Sequence, residues 1–218
     1  MINVAPSILS ADFSDLDREI FKMVEAGAPF IHFDVMDGIF VPNKTFGPEV
    51  VGMAPRNVGY VKDTHLMVVD PKNWIEPFAK AGSDIITFHI EATNGLEESK
   101  NIIDFIHSLG VKAGISIKPK TDPGVIIPLL PYLDLVLVMS VEPGFGGQGF
   151  MEIALDKIAF LRREIDKVGK KTYLEVDGGI NQKTGALCVK KGADTLVAGS
   201  YLYGHDDYVI RLKGLAKL

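Results

Sequence analysis

Leu133-Asp134-Leu135-Val136-Leu137-Val138-Met139 is apolar at every position except Asp134 and shows no polar alternation. A strand with one wet face alternates with period two, so this run predicts a strand covered on both faces, as in a parallel sheet. Outward from it, with the strand extended to 133–140, seven further short runs rich in β-branched residues stand at 4–9, 30–35, 60–67, 84–90, 112–117, 172–177 and 195–199. The segments between them carry helical periodicity, as in Leu16, Ile20, Met23 and Val24 after the first strand and Ile158, Leu161 and Ile165 after the sixth. Gly27, Gly82, Gly110 and Gly192 each stand just before a strand, where a helix C-terminus favours a left-handed residue. Eight strand-helix units in 218 residues leave little room for insertions. The expected fold is therefore α/β, a closed (β/α)8 TIM barrel, with residues 1–218 as a single domain. An open doubly wound sheet is the weaker alternative, because Ser7 to Asp12 stands where its Gly-x-Gly-x-x-Gly fingerprint would follow the first strand.

Bulk properties narrow the function. The chain is 47% hydrophobic with a net charge of -5, and its Lys and Arg are spread rather than clustered, which argues against nucleic acid as a partner. An anionic substrate must then be held by local donors such as backbone N–H groups. Cys188 is the only cysteine, so no intrachain disulfide can form and a reducing compartment fits. The start Met1-Ile2-Asn3-Val4-Ala5-Pro6 lacks signal-peptide character and no apolar run is long enough to span a bilayer, so a cytoplasmic protein without membrane association is expected. Self-assembly into a homo-oligomer is an expectation of the barrel class rather than of any residue.

In a (β/α)8 barrel, polar residues at the C-terminal rim of the strands read as catalytic. Ser7, His32, Asp34, His65, His89, Glu91, Lys118 and Asp177 all fall in or just beyond the ends of predicted strands. His32 and Asp34 are two apart and so share a face. Ordinary loop polarity would explain that pair alone, but not its convergence with His65 and Asp177. Two imidazoles and two carboxylates from strands two, three and seven suit one divalent transition metal ion, Zn²⁺, Fe²⁺, Mn²⁺ or Co²⁺. His107, in a helical pattern, and His205, near the C-terminus, are expected at the surface. Glycines cluster after strand six (Gly144-Phe145-Gly146-Gly147-Gln148-Gly149), after strand seven (Gly178-Gly179) and after strand eight (Gly199-Ser200). Single pairs would only permit turns, but three clusters on neighbouring rims point to a phosphate held by backbone N–H groups. The loop 144–149 has the flexibility of a lid.

Ala5-Pro6-Ser7-Ile8-Leu9-Ser10-Ala11-Asp12-Phe13, His32-Phe33-Asp34-Val35-Met36-Asp37-Gly38, Phe40-Val41-Pro42-Asn43, His65-Leu66-Met67, Val141-Glu142-Pro143-Gly144-Phe145-Gly146-Gly147-Gln148 and Glu175-Val176-Asp177-Gly178-Gly179-Ile180-Asn181 together resemble the ribulose-phosphate 3-epimerase family along the whole chain. The resemblance implies a barrel of the ribulose-phosphate-binding type with His32, Asp34, His65 and Asp177 as metal ligands and Asp34 and Asp177 as the acid/base pair. It further implies substrate contacts from Ser7 and His65, a floor of Met36, Met67 and Met139, and phosphate contacts from Gly144, Phe145, Gly146, Gly147, Gly178, Gly179, Gly199 and Ser200. Ile39, Lys44 and Tyr201-Leu202-Tyr203 depart from the family pattern and bear on the sugar-chain pocket.

Epimerisation at C3 of a 2-ketose removes a proton α to the carbonyl and returns one on the opposite face. Two carboxylates flanking a flat enediolate satisfy that geometry. The expected reaction is interconversion of D-ribulose 5-phosphate and D-xylulose 5-phosphate in the pentose phosphate pathway. The alternatives are a 3-epimerase of a hexulose 6-phosphate such as allulose 6-phosphate, a Schiff-base aldolase using Lys118, and a non-catalytic sugar-phosphate-binding barrel.

Overall fold

The computed structural model describes residues 1–55 and 59–218. Eight parallel strands form one sheet: β1 (Asn3–Pro6), β2 (Phe30–Met36), β3 (Val61–Met67), β4 (Ile85–His89), β5 (Lys112–Ile117), β6 (Leu135–Met139), β7 (Tyr173–Asp177) and β8 (Thr195–Ala198). From β2 to β8 each strand pairs with its sequence neighbour, and β1 pairs with β8 from Asn3 against Thr195 to Pro6 against Ala198. A bridge from Ser7 to His32 joins β1 to β2 and closes the ring. The fold is a (β/α)8 barrel.

The helices are α1 (Leu16–Glu25), α2 (Pro48–Met53), α3 (Lys72–Ala81), α4 (Leu96–Ser108), α5 (Ile153–Val168), α6 (Gln182–Lys190) and α7 (Tyr208–Ala216). The crossover after β5 departs from the helical expectation. It is a run of 3-10 turns over Pro123–Tyr132, with Pro128 and Pro131 inside it. Proline lacks an N–H and crowds the preceding turn, so an α-helix cannot propagate there. Asp122 starts the run by accepting the Gly124 N–H at 2.8 Å.

Both faces of β6 are covered, for two different reasons. Val136 and Val138 pack outward in the core shared with Ile158, Leu161 and Ile165 of α5, while Leu135, Leu137 and Met139 point into the barrel beside Phe30, Ile85 and Val197. Burying each such side chain contributes about 1.5–3 kcal/mol, and truncating Ile158 to alanine would cost about 2–5 kcal/mol. Gly27, Gly82, Gly110 and Gly192 all have φ between +75° and +109°, as expected of residues that end one helix and feed the next strand.

The first strand is shorter than its apolar run suggests. At Ser7 the chain leaves β1 and enters a 3-10 turn over Ile8–Ser10, the Ser7 Oγ accepting the Leu9 N–H at 3.3 Å. That turn lifts Ser7 to the mouth of the barrel. Lys62, though cationic, is buried, and its Nζ donates to the carbonyls of Val51 and Ala54 at 2.7 and 2.8 Å, closing the C-terminal end of α2. Among the described residues no helix is long and apolar enough to cross a membrane.

Candidate active site

Strand register assembles the site. Asp34 stands opposite His65 across β2 and β3, and Asp177 opposite Met139 across β6 and β7. Period-two alternation turns all of these into the barrel, where His32 lies one layer deeper than Asp34. One donor atom from each of His32, Asp34, His65 and Asp177 can be chosen so that all lie within 4.8 Å of one another. Both imidazoles are fully buried and Asp34 nearly so.

The two carboxylates differ sharply in proton affinity. Burial alone would raise that of Asp34, but His32 and His65 beside it more than offset this and hold it well below the usual carboxylate range. Ser7 reinforces the anion, its Oγ donating to Asp34 Oδ2 at 2.5 Å. Asp177 is pushed up to about 7 by burial first and by the charge of Asp34 second. Two neighbouring carboxylates whose environments drive them apart are suited to opposite roles in proton transfer.

The histidines are held from behind. His32 Nδ1 lies 2.6 Å from Asp63 Oδ2, and its Nε2, 3.4 Å from Asp34 Oδ1, is buried without a hydrogen bond among the described residues. Burial opposes charge on His32, yet Asp34 and Asp63 raise its proton affinity well above that of an ordinary imidazole. His65 Nδ1 lies 3.2 Å from the same Asp34 oxygen, and its Nε2 lies 2.9 Å from His89 Nε2. Burial lowers the proton affinity of His65, and pushes that of His89 down to about 4. An orphaned Nε2 aimed at a carboxylate oxygen, beside a second imidazole nitrogen and a second carboxylate, is a donor set that fits a divalent transition metal. A deeper grouping of His32, Asp63 and Glu175 also has atoms close enough for an ion, but its His32 nitrogen is already engaged by Asp63.

Above these ligands opens a cleft of about 390 Å³. Its lining includes Asp34 and Asp177, Ser7, Met36, Met67 and Met139, the glycine loop 144–149, and Gly178, Gly179, Gly199 and Ser200. His32 and His65 lie beneath that lining. Gly178 and Gly179 have φ of +119° and +62°, and a Cβ on either would strike Val141 or the backbone at Phe150, so packing alone requires glycine there. Gly146 is different. It has no positive φ, and among the described residues a Cβ would meet Ser10 and Leu9 at an ordinary 3.8–3.9 Å.

The remaining rim residues divide. His107 is part-exposed and bonded to Asp134 at 2.8 Å, whereas His205, also exposed, lines the outer cleft. Lys118 lies away from the cleft lining, its Nζ 3.9 Å from the centre of the Phe40 ring, which removes the support for a Schiff-base role. Ile39 is 74% exposed; of the departures after β8, Tyr201 lines the cleft while Leu202 and Tyr203 are buried. Asp63 and Glu175 carried no expectation from the sequence. Each stands two residues before a proposed ligand, His65 and Asp177, and that spacing is the signal that places them on the same inner face.

The model of the ribulose-phosphate 3 epimerase family matches residues 3–203. A ribulose-phosphate 3-epimerase of Bacillus subtilis (strain 168) is 49% identical over 208 residues, covering 95% of this chain and 94% of that protein. One from Synechocystis sp. is 44% identical over 214 residues, with 98% and 93% covered. Among solved structures, 3-keto-L-gulonate-6-phosphate decarboxylase from Vibrio cholerae O1 superposes with a TM-score of 0.73 at 14% identity, over all of this chain and 95% of that one, which speaks for the fold alone. The chain is an isomerase and belongs to the ribulose-phosphate 3-epimerase family.

Proposed function

We propose that the protein interconverts D-ribulose 5-phosphate and D-xylulose 5-phosphate, using Asp34 and Asp177 as the two acid/base groups and one divalent transition metal ion held by His32, Asp34, His65 and Asp177. The observation that carries this reading is the convergence of two carboxylates and two imidazoles, one donor atom of each within 4.8 Å of the others, with burial and neighbouring charge driving the two carboxylates toward opposite proton affinities. Asp34, kept anionic by His32, His65 and Ser7, takes the C3 proton from one face of the ketose. Asp177, whose proton affinity is raised by burial and by the charge of Asp34, holds a proton and delivers it to the other face, and the roles exchange in the reverse direction. Bound among these ligands, the cation would supply Lewis-acid stabilisation to the charge developing on the substrate oxygens and would lower the proton affinity of both carboxylates.

Other groups orient the substrate. Ser7 stands beside Asp34 at the reacting end, and Met36, Met67 and Met139 give an apolar floor that keeps water from the flattened intermediate. The phosphate lies against the backbone of Gly144, Phe145, Gly146, Gly147, Gly178, Gly179, Gly199 and Ser200, which fixes C3 relative to the aspartates. The glycine loop 144–149 covers the cleft once substrate is bound. Removal of bound metal by a chelator should abolish turnover of ribulose 5-phosphate, and Zn²⁺, Fe²⁺, Mn²⁺ or Co²⁺ should restore it. Full turnover by protein shown to be metal-free would overturn the metal reading.

A further inference from the structure

A line of side chains runs from His65 out to the loops after β4 and β5. His65 Nε2 meets His89 Nε2 at 2.9 Å, and His89 Nδ1 meets Glu91 Oε2 at 3.1 Å. The other Glu91 oxygen, Oε1, accepts the backbone N–H of Lys118 at 2.7 Å and the hydroxyl of Thr121. His89 is fully buried and packed against the Phe40 ring, whose centre lies 4.9 Å away. None of these partners beyond His65 belongs to the four-residue cluster.

The outer end of this line sets the hydrogen-bond polarity at His89. A backbone N–H can only donate, so Glu91 Oε1 is an acceptor. The carboxylate's other oxygen is also an acceptor, which requires the proton of His89 to sit on Nδ1 and leaves a lone pair on its Nε2. Two imidazole nitrogens 2.9 Å apart hold one hydrogen between them, so that hydrogen belongs to His65 Nε2. At the inner end Asp34 Oδ1, 3.2 Å from His65 Nδ1, competes for a hydrogen in the metal-free site; once a cation takes that place, His65 Nδ1 must offer its lone pair, and the line of acceptors running out to Glu91 leaves the ring's hydrogen on Nε2. We infer that Glu91 and His89 are positioning residues that set the tautomer of His65, so that Nδ1 is the nitrogen free to bind the metal. This inference rests on the reading of His65 as a ligand. A metal-bound histidine whose second nitrogen donates to a fixed acceptor is oriented and made a better ligand. Here the acceptor is a second histidine, and the carboxylate stands one ring further out.

The isosteric change Glu91→Gln tests the polarity. The Lys118 N–H keeps the amide oxygen at the Oε1 position, so the amide NH2 faces His89 Nδ1. His89 must then accept there and carry its proton on Nε2, which forces the proton of His65 onto Nδ1. Two-bond ¹H–¹⁵N correlation on the full-length, metal-free protein should show His89 protonated on Nδ1 in wild type and on Nε2 in Glu91→Gln. Zn²⁺ affinity of the variant should fall about 10- to 100-fold. A second pair of variants reads the same property without touching Glu91. His89→Gln can still accept from His65 and donate to Glu91, so it should retain Zn²⁺ affinity, whereas His89→Phe cannot accept and should lose it. An unchanged His89 tautomer in Glu91→Gln, unchanged Zn²⁺ affinity there, or equal affinity in the two His89 variants would overturn the inference. Wild-type protein that takes up no Zn²⁺ would sink the metal reading and this inference together, and that result is visible before any variant is made.

Discussion

His32 Nδ1 and Asp63 Oδ2 lie 2.6 Å apart with both side chains fully buried, so Asp63 holds the ring with its Nε2 turned toward Asp34. Asp63→Ala removes the acceptor and leaves a buried N–H unpaired, at a cost of about 1–3 kcal/mol. Metal affinity should drop about 10- to 100-fold, because the ring loses both its orientation and its tautomer preference. Competitive chelator titration, read beside a denaturation curve, checks both effects. Wild-type affinity in a folded Asp63→Ala protein would contradict this role.

Gly146 and Gly179 separate phosphate binding from fold. An added Cβ at Gly179 would come within 2.6 Å of the Phe150 nitrogen at a φ of +62°, so Gly179→Val should destabilise the protein whatever it does to substrate. Gly146 has space for a side chain on the protein side. Gly146→Val should therefore fold normally and raise KM for the ketose phosphate about tenfold, equivalent to about 1.4 kcal/mol, with a smaller effect on kcat. Steady-state kinetics with an unchanged KM would remove Gly146 from the phosphate site.

Much of this organisation is legible in the residues, and its gaps have physical causes. The unbroken apolar run around Val136 announces a strand packed on both faces, and the ring of strands follows once seven similar runs alternate with helical ones. Boundaries were less legible. Ile8 and Leu9 are as apolar as a strand residue, but the Ser7 hydroxyl bonds the Leu9 N–H and turns the chain early. In the fifth crossover, Pro128 and Pro131 replace a helix with 3-10 turns. The cluster of His32, Asp34, His65 and Asp177 could be seen from strand ends and spacing. The supporting shell could not, because Asp63 and Glu175 are ordinary acidic residues until register places them inside the barrel, and the partnership of His65 with His89 depends on side-chain direction between adjacent strands.

Glu175 makes stability depend on pH. It is fully buried, and no N–H or hydroxyl among the described residues donates to either of its oxygens. Burial first, and the charge of Asp63 second, raise its proton affinity well above the ordinary value of 4.5. The folded state thus holds a proton that the unfolded chain releases above about pH 4.5, so this residue's contribution is fully present at lower pH and is lost as pH rises toward its folded value. In metal-free protein, denaturation midpoints should fall more steeply with pH for wild type than for Glu175→Gln, and the variant should be the more stable of the two at pH 8. Parallel slopes would show that Glu175 does not ionise in this range.

The two-aspartate mechanism is tested most directly by following hydrogen at C3 during conversion of ribulose 5-phosphate in deuterated water. With Asp34 and Asp177 on opposite faces, the proton removed stays on one carboxylate while the proton delivered comes from the other, which has exchanged with solvent. Mass spectrometry of the earliest xylulose 5-phosphate should show one deuterium at C3, while ribulose 5-phosphate recovered at the same time should carry much less. Early product that retains the substrate's own C3 hydrogen would contradict the account, because it would mean that a single group serves both faces.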